Sequence, residues 1–490
     1  MSAFVEKQFK VHASGSSLRK EIFGGLTTFA AMSYILVVNA GILSATGMNQ
    51  EGVVVATALS SALGCFLMAW LTNYPIALAP AMGTNAYFAN LVVLGMGVPW
   101  QAALSITFWN GVIFLLLSLS GIRRRIAEAL PKAIQIGIQA GIGFFIALLG
   151  LRAAGLVVGS PATMVTFGKV YEIGPALAII GLLVMAVLVS RRVPGAIIAG
   201  IAVISVAAFF IQTGSDPVTK EPIMLASLPE SFTVSPGSVG EVFFQLQWLW
   251  PFENFAQALP VLFTLLILDL FDSIGTIVGV SRRAGLLNEE GKLPKLSQAL
   301  TADACATIFG ALFGTSTVTS YVESAAGIES GARTGLSTVV VGICFGLAIL
   351  LAPLLASVPG VATAPALIMV GLFMAEGLRY LDYDDFVETG SAILTALLIP
   401  FFFSIAHGIA FGLLFYIVVQ TGLGRFKRIP FMTWVTGLIF VLFYAFEYVT
   451  DEAAAKRNKE KAAATSVEQV EAELPEAGAS IDALPEAKPE

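Results

Sequence analysis

In this 490-residue chain, 57% of the residues are hydrophobic and 12% charged; with a mean hydropathy of +0.84 it is far from a soluble domain, where about 25% of residues carry charge, and it reads as a polytopic membrane protein. The net charge of −6 owes much to the acidic stretch after residue 450, and no basic patch is gathered that would neutralise nucleic-acid phosphates, so no nucleic-acid partner is implied. Cys65, Cys305 and Cys344 lie in apolar runs as small hydrophobes, and the hydrolase signatures HExxH and GxSxG are absent, so neither a disulfide framework, a metal site, a cofactor nor an enzyme is expected.

The N-terminus, MSAFVEKQFKVHASGSSLRKEIFGG, mixes charged and apolar residues and is not a cleavable signal peptide. A bilayer core takes about 20 apolar residues per helix, and that ruler predicts seven spans over 22–44, 52–72, 75–95, 99–120, 133–153, 173–190 and 194–212. A long loop, 213–256, follows. Seven more spans come at 257–281, 296–313, 315–332, 334–354, 361–378, 386–404 and 407–422. The apolar stretch 430–449 either lies in the interface or crosses once more, and the Ala/Glu/Pro-rich tail 451–490 is expected to be disordered.

Basic residues in the short loops give an orientation. With the N-terminus in the cytoplasm, nineteen Lys and Arg fall inside, among them Arg123, Arg124, Arg125, Arg191, Arg192 and Lys292, against Arg152, Lys169 and Lys220 outside. Phe243, Phe244, Trp248, Trp250 and Phe252 in the long outer loop form an aromatic belt or a short helix lying on the membrane.

Seven spans followed by seven place the two halves in opposite orientations, and faint echoes recur at an offset of about 230 residues. GTNAYFA (83–89) in the third span has its counterpart in VTSYVESA of the tenth. Both segments carry Gly, Thr, Ser or Asn where a lipid-facing helix would carry Leu and Val. Either these small residues only allow close helix packing, or the two spans are broken by short extended stretches that line a cavity. The matched positions favour the second reading.

Acids stand where lipid excludes them. A carboxylate at the bilayer centre costs about 3 kcal/mol even on lenient scales, and such groups face a polar cavity. Asp269 and Asp272, three apart in LILDLFDSIGTIVG, are expected on one helix face with Thr276 a turn further on. A carboxylate there can accept N–H bonds from a flat heterocycle or hold a transported proton. Glu323 is a second acid able to fix a ligand, and Tyr321 either stacks on a planar base or is an ordinary membrane-helix tyrosine. Asn85 can read a ligand edge or cap a half-helix, and Asp303 more plausibly orients the tenth span or relays protons. Glu329 and Arg333 read as a helix ion pair, and His407 as a satisfied residue near a span end.

FGGLTTFAAMSYILVVNAGIL (23–43), PAMGTNAYFA (80–89), LFDSIGTIVGVSRRAGLL (270–287), ADACATIFGALFGTSTVTSYVESAAGI (302–328) and SIAHGIAFG (404–412) resemble the AzgA-like hypoxanthine, guanine and adenine permeases of the nucleobase-ascorbate transporter superfamily. The resemblance covers about residues 17–425. It implies an all-α membrane protein of 14 transmembrane helices in a 7+7 inverted repeat. The core domain would be 22–120 with 257–354 and the gate domain 121–212 with 355–422, flanked by a cytoplasmic 1–21 and a C-terminal segment 423–450. The family's substrate acids fall on Asp272 and Glu323, its third-span motif on Gly83 and Asn85, and its supporting acid on Asp303. Ala86, Tyr321 and Val322 complete the substrate set, with Asp269, Asp303 and Thr276 as proton-coupling or supporting residues. Uracil-type relatives carry a histidine where this chain has Thr276, so proton coupling would use carboxylates alone.

The expected protein is thus a proton symporter of purine nucleobases in a bacterial plasma membrane, working by elevator-like movement of core against gate, and by family likeness a homodimer. Uracil or xanthine transport on the same fold is the nearest alternative. An anion transporter would want a cation facing its substrate, and an acid-lined ion channel would want a continuous polar pore.

Overall fold

A computed structural model describes residues 3–120, 131–161, 163–215, 222–226, 229, 231, 233–288, 293–431 and 433–441. The expectations for Arg123, Arg124, Arg125, Lys220, Lys292 and the tail 451–490 fall outside the described residues.

Long apolar runs become helices because lipid offers the backbone no hydrogen-bond partner. The first span is two helices, α1 (Leu18–Met32) and α2 (Ile35–Ser44), interrupted at Ser33 and Tyr34. α3 (Gln50–Thr72) is capped by the Asn49 side chain and closed by Asn73 in the left-handed conformation, φ 61°. The third span is assembled from a strand, β1 (Leu78–Pro80), a short helix, α4 (Met82–Ala86), and a π-helical run, Tyr87–Val93. Then come α5 (Trp100–Ser120), α6 (Lys132–Ala153), a hairpin of β2 (Val157–Ser160) and β3 (Met164–Phe167), α7 (Ile173–Ser190) and α8 (Ala196–Ala208). β4 (Gln212–Ser215) and β5 (Pro222–Met224) pair next, and two short helices, Pro236–Gly240 and Trp250–Glu253, follow in the long loop. The second half holds α9 (Phe255–Arg283), α10 (Leu296–Phe313), β6 (Val318–Ser320), α11 (Ser324–Glu329), α12 (Gly335–Ala348), α13 (Gly360–Ala375), α14 (Phe386–Phe402) and α15 (Ile405–Gly422). Residues 434–441 form a separate, helical piece.

Among the described residues, nine helical stretches are long and apolar enough to cross a bilayer, and three shorter apolar helices accompany them. The remaining two predicted spans, the third and tenth, are broken around β1 and β6 as the sequence suggested. A purely α-helical chain is nevertheless too simple. The β2–β3 and β4–β5 hairpins arise in polar connections where strand pairing satisfies a backbone no helix could continue.

Two groups of helices pack mainly among themselves. In one, α3 touches α10 and α12, α5 lies on α10, and α1 lies on α12. In the other, α6 is held between α13 and α14, α14 packs on α15, and α7 and α8 lie against α13. Glycines make the second group tight. A Cβ on Gly137 would meet the Ala392 carbonyl oxygen at 2.5 Å, and one on Gly143 would meet that of Gly371 at 2.7 Å.

A buried carboxylate ties α1 to α12. Glu21 is fully enclosed and accepts from the backbone N–H groups of Arg333 (2.9 Å), Thr334 (3.3 Å) and Ser337 (3.3 Å), at and around the start of α12. Arg333 itself donates its guanidinium to the carbonyls of Ile328 and Ala332. Nearby, Asn73 donates to the Phe9 carbonyl oxygen and accepts from Gly335 N, while Phe9 and Val11 are buried with Ala69 and Leu336. Glu21→Ala is expected to cost about 2 kcal/mol, the scale for hydrogen bonds to a buried charged group, and to lower the thermal midpoint in detergent by several degrees. An unchanged midpoint would show that water replaces the carboxylate.

Candidate functional site

β1 and β6 run antiparallel, with Leu78 opposite Ser320, Ala79 opposite Thr319 and Pro80 opposite Val318. Flanking backbone bonds, Ala81 N to Thr317 O and Tyr321 N to Ala77 O, both 2.9 Å, extend the pairing at either end. Pro80 has no N–H to leave unpaired, and its carbonyl oxygen accepts from the Tyr321 hydroxyl at 2.5 Å. Ser324 Oγ accepts from Ala77 N at 3.0 Å. Two extended segments, distant in sequence, thereby satisfy one another at membrane depth.

A cavity of about 530 Å³ lies beside this pair, within the range of small-ligand sites. Asp272 and Thr276 of α9, Glu323 and Val322 just beyond β6, and Gly83 of α4 line one side. Gln139 of α6 and Val370 and Phe373 of α13 line the other. A second lobe of about 650 Å³ shares Asp272, Thr276, Gln139 and Val322 and reaches Lys132, Arg282 and Tyr380. The cavity therefore sits between the two helix groups, with Asp272 and Glu323 on the α9 and β6 side and Glu376, just after α13, on the other.

Asp272, Glu323, Gly83, Thr276, Tyr321 and Val322 are brought together. Asp269 is not. A three-residue step on a helix turns the side chain by about 60°, enough to send Asp269 toward α5, where its Oδ2 accepts from Asn110 Nδ2 at 2.5 Å. Asp303 of α10 is buried and accepts from Ser273 Oγ, whose oxygen also lies 3.0 Å from Thr319 Oγ1, so Asp303 supports the cavity wall from behind. Asn85 and Ala86 are buried away from the cavity. Asn85 donates to Asn39 Oδ1, and Asn39 Nδ2 in turn donates to Thr57 Oγ1 (2.7 Å) and Thr315 Oγ1 (2.9 Å). That network locks α2, α3, α4 and the start of the tenth segment together. Tyr321 is a staple, its hydroxyl committed to Pro80 and its ring buried. His407 is bonded through Nδ1 to Ser404 Oγ at 2.5 Å, at the start of α15.

Three participants escaped the sequence reading. Tyr34 lines the cavity and donates its hydroxyl to Glu323 Oε1 at 2.5 Å. Asn39 holds the network just described. Gln139 is the amide facing the acids from α6. The signal for the first two was present as Ser33, Tyr34 and Asn39 in a first span that is mostly apolar.

Broken segments meet here beside a ligand-sized cavity, among helices long and apolar enough to cross a bilayer. The chain belongs to the permease family of nucleobase-ascorbate transporters, whose family model, described as "Permease family", matches residues 19–411. It is 39% identical over 443 residues to the adenine permease AdeP of Escherichia coli, covering 90% of this chain and 96% of that one. It is 40% identical over 447 residues to the guanine/hypoxanthine permease PbuG of Bacillus subtilis, with coverages of 89% and 99%. Among solved structures, the transmembrane domain of the cyanobacterial bicarbonate transporter BicA shares the fold, with a TM-score of 0.57, 18% identity and coverage of 81% of this chain and 97% of that one. The murine anion transporter Slc26a9 shares it too, at TM-score 0.58 and 13% identity, covering 86% of this chain and 72% of that one.

Removing the staple tests the strand pair. Tyr321→Phe should cost about 1 kcal/mol, seen as faster amide exchange at residues 77–81 and 318–321 by mass spectrometry; unchanged protection would mean the backbone ladder suffices alone.

Proposed function

We propose that this chain is a secondary active transporter that imports purine nucleobases, adenine, guanine or hypoxanthine, together with protons across a bacterial plasma membrane. The observation that carries the reading is the convergence of Asp272 and Glu323, from segments about fifty residues apart, on the walls of one cavity. Two carboxylates can accept N–H donors from a flat heterocycle, with Gly83, Val322 and Thr276 around it. Tyr321, Asn85, Ala86, Asp269 and Asp303 then hold these groups in place. The names of relatives near 40% identity support adenine, guanine or hypoxanthine over uracil or xanthine as substrate. An anion carrier on the same scaffold is disfavoured, because paired acids would repel its substrate.

The third and tenth segments, each breaking into a strand followed by a short helix, support a 7+7 inverted repeat of 14 spans. The two self-packed helix groups support a core of spans one to four and eight to eleven, and a gate of spans five to seven and twelve to fourteen. The cavity runs between them, as elevator-type alternating access requires. The second lobe reaches Lys132 and Arg282, which fall on the cytoplasmic side in the N-in orientation that the basic loops favour. Proton coupling through carboxylates would draw on the membrane potential, about 2.3 kcal/mol per charge per 100 mV. Family likeness adds a homodimer joined through the gate.

Uptake of labelled adenine, guanine, hypoxanthine, xanthine and uracil into proteoliposomes, with and without an inside-alkaline gradient, tests this directly. Purine accumulation should rise with the gradient, and Asp272→Asn or Glu323→Gln should reduce uptake by about 100-fold or more while the protein still inserts. Wild-type rates in both variants would remove the assignment. Sliding has its own test at the closest approach of Gly83 to α6, where a Cβ would meet Ile142 Cγ2 at 2.6 Å. Gly83→Val should slow transport at least about tenfold and Ile142→Ala should restore part of it; no rescue would argue that Gly83 serves the ligand and not the sliding surface.

A further inference from the structure

We propose that Tyr34 is a positioning residue for Glu323 that sets which hydrogen-bonding edge of a flat ligand the cavity accepts, an inference that rests on reading this cavity as the purine site. Tyr34 stands at the interruption between α1 and α2, where Ser33 N bonds back to Phe29 O at 2.7 Å and α2 restarts with Val38 N on Tyr34 O at 3.0 Å. The phenol lies at the cavity edge. There it is 1% exposed, and a phenol so enclosed requires a partner for its single O–H.

The partner is the Glu323 carboxyl group, whose Oε1 accepts from the Tyr34 hydroxyl at 2.5 Å. Glu323 is the residue immediately before α11, following the turn out of β6, and it makes no side-chain capping bond to that helix. Its side chain has several freely turning bonds, so an unassisted carboxylate would need ordering at the moment of binding. Tyr34 orders it in advance, which is how preorganisation raises affinity. The bond also fixes polarity. Oε1 is engaged by a donor, so the remaining lone pairs of Glu323 face the cavity as acceptors and select a ligand edge that presents N–H groups. Sites built to satisfy such groups reject analogues lacking them far more strongly than apolar pockets reject a misfit.

The test is Tyr34→Phe, which keeps the ring and removes the donor. Hypoxanthine uptake should show KM raised about tenfold or more, a maximal rate within about twofold of wild type, and a displaced pH profile. By equilibrium binding to purified protein, the Phe substitution should add no further loss in a Glu323→Gln background. A wild-type KM and pH profile, or an equal loss in the Gln background, would overturn the proposal. Should Tyr34→Phe fail to reach the membrane, 3,5-difluorotyrosine at position 34 keeps the shape with a more acidic phenol; its pH profile must move, and an unmoved one overturns the proposal equally. Absence of purine binding to the wild-type protein would instead bring down the functional reading, and this inference with it.

Discussion

Everything at the centre of this molecule depends on one constraint: backbone N–H and C=O groups cannot be left unpaired where there is no water. Leu78–Pro80 and Val318–Ser320 can be extended at that depth because each supplies the other's hydrogen bonds. Separated, neither would survive in lipid. The pairing fixes where α4 and α11 begin, and so where Gly83 and Glu323 stand, while Asp272 comes in from α9 alongside. The cavity is a by-product of a backbone problem solved locally.

Around that centre, polar groups that would be costly alone are consumed in pairs and triplets. Asn39, Asn85, Thr57 and Thr315 bond to one another, Asp269 takes a bond from Asn110, and Asp303 takes one from Ser273. The asparagine–threonine bonds draw the first, second, third and tenth segments into one unit. Against this stands the glycine-seamed packing of α6 with α13 and α14, which relies on close approach of backbones and uses little polarity. Close glycine packing serves the first group as well, where a Cβ on Gly25 would meet the Ser337 carbonyl oxygen at 2.6 Å, and the buried polar network is added to it.

The membrane class and the broken segments were legible in the sequence, because acids, Gly, Thr and Ser inside apolar runs are costly in lipid and persist where they line a cavity or let backbones approach. Asp272 and Glu323 also stood out there as acids in apolar runs, and both line the cavity. The tertiary partners were not legible. Asp269 and Asp272 share a spacing but not a destination, since a helical step of three residues leaves room for one to face α9's neighbour and the other the cavity. Asn85 looked like a ligand reader because its amide both donates and accepts; only the position of Asn39 reveals it as part of a network. Tyr34 and Glu323 are 289 residues apart, and nothing local in either announces the other.

The N-terminal segment has a practical bearing. Phe9 and Val11 are buried, the Phe9 carbonyl holds Asn73, and Glu21 closes the start of α12, so residues that read as a mixed, charged N-terminus pack against the first, second and eleventh spans. Trimming the chain to the start of its first predicted span, at residue 22, would expose a helix start and an asparagine at once. Fusion partners and shortened forms should therefore respect the chain from Phe9 onward.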